Sequence, residues 1–443
     1  MRTPMVRSDR RRPRDKPPAA GRPPHCRRFP VRKARYASPL LGASPPVAQA
    51  GTAAMPLSGA DGNPLNRMRC RSLSRRRDRA GMGTPRAGWG QSDDGYRYRR
   101  SWYARLSAGG AIAICIPVRD EAERLPRLFD ALERLIVPAE TTLFVSLLLD
   151  GCHDASAALA AIYRVRSRHG VSVAAVDRAP SNAGRARDRA MRCGIEAAGD
   201  DAILLTTDAD SVPARDWLCA MVAGLAHADL VTGNVVRPGH GATPGQDRIE
   251  DYYGRLFALR RQADPVPWEA ARTHHHASGA NMGLRAATYV ALGGFLPIER
   301  GEDARLVDDA ARAGLRVRRD AASVVRTSDR RVGRAHGGLA TVLREIDQRG
   351  LDGVSVAHPA DQLWQYRMQG LARASFAVGA FEPLSARLGY SPDHVLGVAR
   401  DCPNAEAFAM RIVPVPPGGM RQVPFVTAEA TLDALTAAVG EAA

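Results

Sequence analysis

Apolar and polar residues follow one another in a regular order along the middle of the chain. Short continuous apolar runs predict strands that are buried on both faces, at residues 111–117, 142–149, 171–176 and 202–206. Between these runs, apolar residues recur at helical spacing, as at Leu125, Leu128 and Leu132. Strands that alternate with helices in this way predict an α/β fold, in which a mostly parallel sheet carries helices on both faces.

The polar residues that directly follow each predicted strand indicate where a site lies. Ligands of open parallel sheets bind at the carboxyl ends of the strands, which meet at one edge of the sheet. Here those ends carry four polar segments, residues 119–121, 150–154, 182–185 and 207–210. Three of the four segments contain carboxylates, so the sequence predicts one shared site with several acidic groups.

Asp208 and Asp210 are separated by one small residue after the fourth predicted strand. Two carboxylates this close repel each other unless a cation lies between them, and oxygen ligands favour Mg²⁺ or Mn²⁺. The alternative is that one of them caps the helix around Trp217, because Asp is favoured at that position. No glycine-rich phosphate loop of the P-loop or dinucleotide type is present. We therefore expect a metal ion and cationic side chains to balance the charge of a diphosphate ligand.

Seven short motifs occur in a fixed order over about residues 111–320. They are IPVRDE (116–121), DGCHD (150–154), NAGRA (182–186), TDAD (207–210), GANMGLR (279–285), GGF (293–295) and GED (301–303). In this order the motifs resemble the inverting, soluble, non-processive members of glycosyltransferase family 2. The resemblance implies a GT-A fold with a Rossmann-type sheet, and transfer of a hexose from a nucleotide diphosphate donor to an acceptor hydroxyl.

The resemblance also implies a role for each matched residue. The nucleotide-sugar would be bound by Pro117, Asp120, Glu121, Asp150, Asn182, Gly184, Arg185 and Asp208. Asp208 and Asp210 would hold a divalent metal ion, Mn²⁺ or Mg²⁺. Gly279 and Asn281 would lie in the acceptor site.

Glycosyl transfer passes through an oxocarbenium-like state while negative charge grows on the leaving group. The resemblance assigns the general base to Asp303, with Glu302 in support; the alternative is that this pair only caps the next helix. Membrane-bound processive family members carry a Gln-x-x-Arg-Trp motif, which this chain lacks. In the corresponding region Arg330 and Arg331 are candidates for neutralising the departing diphosphate, with plain surface charge as the alternative.

Three consecutive histidines, His274, His275 and His276, precede the acceptor motif. Adjacent side chains in a strand point to opposite faces, so at most two of these imidazoles could bind one ion. We expect a solvent-exposed turn at this position, and an extra metal ligand is the alternative.

The net charge of +17 is concentrated at the N-terminus. Residues 1–108 contain 25 Lys and Arg against 6 Asp and Glu, whereas residues 109–443 contain 38 basic and 40 acidic side chains. The basic segment is rich in Arg, Pro, Gly and Ser and shows no helical or strand period, which predicts a disordered leader. Nucleic-acid binding through this leader is one alternative function, but a near-neutral body disfavours it.

The chain is thus predicted to consist of a leader (1–108), a GT-A-like domain (109–338) and a helical C-terminal extension (339–443). No apolar stretch approaches the ~20 residues of a transmembrane helix. The seven cysteines include no C-x-x-C pair, which favours reduced thiols and a cytoplasmic location. A sugar-phosphate nucleotidyltransferase is a second enzyme class, although the glycine-rich loop typical of that class is missing after the first strand. The donor, the acceptor and the oligomeric state are left open by the sequence.

Overall fold

The computed structural model describes residues 110–176, 182–237, 244–331 and 339–441. The predicted leader, residues 1–108, lies outside the described residues. The boundary predicted between residues 338 and 339 falls at the end of an undescribed segment, so the division into domains stays a prediction. Within the described ranges, no helix is both long enough and apolar enough to cross a membrane.

The described residues contain an eight-stranded sheet and a small two-stranded sheet. The strands are β1 (Ala111–Val118), β2 (Thr142–Asp150), β3 (Gly170–Val176), β4 (Ile203–Thr206), β5 (Val212–Pro213), β6 (Leu230–Val236), β7 (Met282–Arg285), β8 (Val317–Arg326), β9 (Ser355–Ala357) and β10 (Gln422–Pro424). The large sheet has the order β3-β2-β1-β4-β7-β6-β8-β5, and β9 pairs with β10.

The helices of the described part alternate with these strands and then continue beyond them. They are α1 (Leu125–Glu133), α2 (Ser156–Arg166), α3 (Ala183–Ala198), α4 (Trp217–Leu225), α5 (Pro244–Ala263), α6 (Ala286–Ala291), α7 (Glu302–Arg312), α8 (Leu339–Arg349), α9 (Pro359–Val378), α10 (Glu382–Leu388), α11 (Pro392–Arg400), α12 (Ala405–Ile412) and α13 (Phe425–Glu441). The predicted α/β class and the helical C-terminal region are both confirmed.

The first half of the sheet is parallel because its strands are apolar on both faces. β1 pairs in parallel with both β2 and β4, and β2 pairs in parallel with β3. Along β1, Ile112 and Ile114 pack into a core on one face with α1, α2 and α4. Ala113 and Cys115 pack into a second core on the other face with α3, α6 and α7. Helices therefore cover both faces of the sheet, as predicted.

The second half of the sheet is mixed. β7 runs antiparallel to both β4 and β6, while β6 runs parallel to β8. A register shift separates Gly233 from Asn234 on β6, opposite β8. The pairing of β7 with β4 places Gly279 and Asn281, which precede β7, beside the carboxyl end of β4.

The C-terminal helices pack on α5 through an apolar cluster of their own. Tyr252 of α5 contacts the ring of Phe425 on α13 edge to face, and both side chains are buried. Leu363 of α9 and Leu432 of α13 belong to the same cluster. The helical region after residue 338 is thus joined to α5 by a continuous apolar contact.

The apolar spacing along α2 predicts that Leu159, Ile162 and Tyr163 face inward, and one of these three positions is wrong. Tyr163 is buried and stacks on Phe129 with ring centroids 4.0 Å apart, as expected, but Ile162 is half exposed. The buried residues of α2 are Ser156, Ala160 and Tyr163, so its buried face is narrower than the sequence pattern indicates.

Candidate functional site

The segment after β1 and the segment after β2 are joined by several polar contacts. Arg119 donates to Asp150 at 3.1 Å, and both side chains are largely buried. Asp120 has φ 51°, a left-handed conformation that Asp tolerates. In that conformation its Oδ1 accepts a hydrogen bond from the backbone N–H of His153 at 2.6 Å. Pro117 lies three residues before Asp120, within β1 and opposite Leu148 of β2.

Arg330 joins the first strand end to the fourth. Its guanidinium forms an ion pair with Glu121 and a second one with Asp210, at 3.3 Å. Glu121 is buried, and its backbone N–H donates to the Ser156 hydroxyl at 2.9 Å. Arg330 therefore places a positive charge between two of the predicted site carboxylates.

Besides Arg330, three hydroxyl groups lie close to the Asp210 carboxylate. Its Oδ2 accepts a hydrogen bond from Ser328 at 2.7 Å, and its Oδ1 lies 3.5 Å from the hydroxyls of Ser211 and Thr327. A carboxylate among hydroxyls is the donor set that hard cations such as Mg²⁺ and Mn²⁺ prefer. The residues at this position therefore fit a divalent ion of that class.

The capping alternative for the two aspartates is wrong. Helix α4 begins at Trp217, and its N-cap is Asp216, which makes no side-chain capping bond. Asp208 and Asp210 lie before β5, well ahead of that helix. Neither the Asp208 nor the Asp210 carboxylate caps α4.

A buried arginine on α3 connects Asp208 to the residues expected to act on the acceptor. Arg187 is 8 % exposed. Its guanidinium contacts Asp208 at 2.9 Å, Glu302 at 3.3 Å and the carbonyl of Gly279 at 2.9 Å. Burial alone would lower its pKa, but the charges of Asp208, Glu302 and Asp303 outweigh burial and raise the pKa above its usual range.

Helix α7 begins at Glu302, so Glu302 and Asp303 both lie in its first turn, where the helix dipole stabilises negative charge. Asp303 accepts hydrogen bonds from the backbone N–H groups of Gly279 at 3.0 Å and Ala304 at 2.7 Å. Burial raises the pKa of both carboxyl groups above their ordinary values. A carboxylate that holds protons more tightly than usual is suited to accept one during a reaction.

After β3, the described residues from Asn182 onward form the start of α3 and its contacts with neighbouring backbone. Asn182 is the N-cap of α3, where it accepts from the backbone N–H of Arg185 at 2.8 Å and donates to the carbonyl of Pro297 at 3.0 Å. Gly184 allows close backbone packing, because an added Cβ would lie 1.8 Å from the carbonyl oxygen of Leu296. The Arg185 side chain is exposed.

Gly279 contacts the site residues, whereas Asn281 is buried within the sheet. Gly279 lies between Asp303, which accepts from its N–H, and Arg187, which donates to its carbonyl. Asn281 is fully buried, and its amide accepts from the Trp217 indole at 2.8 Å and donates to the carbonyls of Asn234 and Ser323. Asn281 thus ties strands of the mixed half of the sheet together.

The Arg331 side chain points away from the predicted site carboxylates and toward α8. It forms a two-point ion pair with Asp347 of α8, at 2.7 and 3.2 Å, and it donates to the Asp329 carbonyl. Of the two neighbouring arginines, Arg330 alone contacts the predicted site carboxylates among the described residues.

The expectation of a solvent-exposed turn at His274–His276 is wrong. His274 is 8 % exposed, and its Nε2 lies 3.1 Å from the Thr232 carbonyl. His275 and His276 are partly buried and approach Glu250 of α5, at 2.9 and 3.8 Å. The segment has no strand conformation, so the two adjacent side chains are free to face the same carboxylate.

Sequence reasoning missed Arg187, although a signal for it was present. The residue lies three positions before Ala190 and four before Met191, which are fully buried, so it belongs to the apolar face of α3. A charged residue on the buried face of an amphipathic helix indicates a specific partner. In this structure the partners are Asp208 and Glu302.

A protein-family model matches the central part of the chain. Residues 113–288 match the family model described as Glycosyl transferase family 2. This range contains the first four strand ends, the two aspartates and the Gly279 segment. Among curated proteins, no sequence match is found.

Solved structures with low sequence identity resemble the chain. Residues 1–349 of TarS from S. aureus in complex with UDP-GlcNAc are 14% identical, with a TM-score of 0.38; the match covers 69% of this chain and 90% of that one. A mannosyltransferase from Pyrobaculum calidifontis in complex with GDP-Man and Mn²⁺ is 17% identical, with a TM-score of 0.37; it covers 79% of this chain and 83% of that one. Glucosyl-3-phosphoglycerate synthase from Mycobacterium tuberculosis, in complex with Mg²⁺ and UDP, is 18% identical, with a TM-score of 0.34. The match covers 69% of this chain and 86% of that one.

Proposed function

We propose that this chain is a nucleotide-sugar-dependent glycosyltransferase of family 2, whose model matches residues 113–288. It transfers a single hexose to an acceptor hydroxyl with inversion at the anomeric carbon. The donor is a nucleoside diphosphate sugar, and a divalent ion, Mn²⁺ or Mg²⁺, takes part. Reduced cysteines agree with a cytoplasmic location, since the five in the described ranges are free thiols.

The arrangement around Arg187 is the observation that supports this proposal most directly. One guanidinium contacts Asp208, which belongs to the donor side in our assignment, and Glu302, which neighbours the assigned base. Gly279 connects the same guanidinium to Asp303 through its carbonyl and its N–H. The two halves of a transfer site are thereby held at a fixed distance from each other.

Asp208 and Asp210 would hold the metal ion, together with the hydroxyls around Asp210. When bound, a divalent ion supplies positive charge to the diphosphate as it departs. Arg330 lies against Asp210 at 3.3 Å and adds a second positive charge on the same side. Arg119 and Asp150, with Asp120, form the rim on which the nucleoside would rest.

Asp303 is assigned as the general base. During transfer the acceptor oxygen forms a bond to the anomeric carbon, the bond from that carbon to the diphosphate oxygen breaks, and the acceptor proton passes to an Asp303 carboxylate oxygen. Its two backbone hydrogen bonds hold that carboxylate in place. Base catalysis of this kind contributes roughly 10²–10⁴-fold to a rate.

The substitution Asp303→Asn tests the assignment. It keeps the shape of the side chain but removes the ability to accept the proton, so kcat should fall by at least about 10²-fold while the donor dissociation constant stays unchanged. Transfer is measured with an excess of donor, and donor binding is measured by titration calorimetry. Asp309→Asn is the matched control, since Asp309 lies on the same helix and pairs only with Arg305 among the described contacts. Turnover of Asp303→Asn at the wild-type rate would remove Asp303 from this role.

A further inference from the structure

A second group of metal-ligating side chains lies outside the carboxylates discussed so far. Glu250 comes from α5, and His275 and His276 come from the segment before β7. Their ligand atoms all lie within 4.8 Å of one another. We define these three residues as the His–Glu cluster. They occupy two separate parts of the chain, so the cluster exists only in the folded protein.

The spacing of the cluster matches a single transition-metal ion. Zinc is bound at about 2.0–2.1 Å by imidazole nitrogen and 2.0–2.2 Å by carboxylate oxygen, so two ligand atoms of a tetrahedral site lie about 3.3–3.5 Å apart. The Glu250 Oε2 atom lies 2.9 Å from Nε2 of His275 and 3.8 Å from Nε2 of His276. These two distances bracket the tetrahedral value, so small side-chain rotations would complete the geometry.

Neighbouring residues hold the three ligands in position. Gln246 donates to the other oxygen of Glu250 at 2.8 Å, and the ring of Tyr253 stacks against His275. His274 accepts from the backbone N–H of His276 through Nδ1, so its Nε2 carries the proton and donates to the Thr232 carbonyl. Partners of this kind orient metal ligands in known sites. His274 therefore fixes the segment and is not itself a ligand.

From these contacts we propose that Glu250, His275 and His276 bind a divalent transition-metal ion, and that Zn²⁺ is the ion with which this is tested. Two imidazoles and one carboxylate are a donor set that suits zinc and related first-row ions better than Mg²⁺. Three protein ligands leave at least one coordination position for water or a ligand oxygen. The imidazole ligands of the cluster differ in chemistry from the carboxylate and hydroxyl oxygens at Asp210, and the site goes beyond the proposed transfer function.

The position of the cluster relates it to the acceptor side. His276 precedes Gly279 by three residues, and the Gly279 N–H donates to Asp303. An ion held by His276 would therefore order the segment that supports the proposed base.

The experiment measures zinc binding directly, so its result does not depend on glycosyl transfer. The full chain is freed of metal with a chelator, and Zn²⁺ is titrated in competition with a chromophoric indicator. Wild type should bind one equivalent of Zn²⁺ tightly, and His276→Asn or Glu250→Gln should weaken that binding by at least about tenfold. His227→Asn is the control for a histidine outside the cluster, since His227 is exposed, and it should bind Zn²⁺ like wild type.

Two outcomes would overturn the proposal: wild type that binds no tight equivalent of Zn²⁺, or cluster variants that bind it as tightly as wild type. Circular dichroism and thermal unfolding of the metal-free variants show whether each one is folded, and a variant that is not folded is replaced by His275→Asn. Absorption of the Co²⁺-loaded protein gives a second readout, because a tetrahedral site with imidazole ligands absorbs far more strongly than aqueous Co²⁺. Loss of this absorption in His276→Asn, but not in His227→Asn, is the expected result.

Discussion

At the scale of single residues, the site depends on charges that are buried in pairs. Arg187 is the clearest example, because one nearly buried guanidinium faces Asp208 and Glu302. The sequence allowed the carboxylates to be predicted, since they follow strands in recognisable motifs. It did not allow the cation to be predicted, because Arg187 lies in a run of arginines and only its position on α3 distinguishes it.

Replacing Arg187 should therefore affect both stability and turnover. In Arg187→Gln the buried Glu302 loses its charged partner, which should cost about 3–5 kcal/mol of unfolding free energy. The displacement of Asp208 and Gly279 should reduce kcat by about 10²-fold. Urea unfolding and steady-state transfer measure the two effects.

Arg185→Gln is the matched control for Arg187→Gln. It removes the same group from the same helix, but Arg185 is exposed, so stability should change by less than about 0.5 kcal/mol. Equal losses of unfolding free energy in the two variants would show that Arg187 has no special structural role.

At the scale of elements, the strands of the parallel half could be predicted closely from the sequence. The predicted strand at residues 142–149 is observed as Thr142–Asp150, because a short continuous apolar run is typical of a strand buried on both faces of a parallel sheet. The mixed half could not be predicted, since the antiparallel pairing of β7 with β4 and β6 joins segments far apart in the chain. The conformation of His274–His276 was missed for a related reason: its partners, Thr232 and Glu250, are distant in sequence.

The start of α3 offers a test of how the elements pack. In Gly184→Ala the new methyl group would lie 1.8 Å from the carbonyl oxygen of Leu296, so α3 or the segment before α7 has to move. We expect unfolding free energy to fall by about 1–3 kcal/mol, measured by urea denaturation.

Gly254→Ala is the control for this prediction, because Gly254 lies within α5 with no atom within 4 Å of the added Cβ. There the substitution should leave stability unchanged or raise it by up to about 1 kcal/mol. A Gly184→Ala protein as stable as wild type would mean that the contact with Leu296 is not tight.

At the scale of the whole molecule, one buried ion-pair group joins the segment after α5 to the C-terminal helices. Arg373 of α9 pairs with Asp264, which directly follows α5, and with Glu406 of α12. Asp264 is 5 % exposed and Glu406 8 %. Because neither carboxylate can reach water easily, the guanidinium is needed to neutralise them.

Arg373→Ala should accordingly lower the unfolding free energy by about 3–5 kcal/mol, since it leaves two buried charges without a partner. Arg255→Ala removes an ion pair between α5 and α13 in which both side chains are more exposed, so its cost should stay below about 1 kcal/mol. Thermal and urea unfolding of both variants give the comparison. A cost for Arg373→Ala no larger than that for Arg255→Ala would contradict the account of this contact.

The most direct test of the proposed function is the binding of nucleoside diphosphate sugars to wild type and to Asp210→Asn, with and without Mn²⁺. A panel with uridine and guanosine donors is titrated by calorimetry, and each variant is first shown to unfold like wild type. We predict that one donor binds to wild type only when Mn²⁺ is present, and that Asp210→Asn loses this Mn²⁺-dependent gain in affinity. Donor binding that is equally tight without metal, or that survives unchanged in Asp210→Asn, would contradict a metal-held diphosphate at the end of β4.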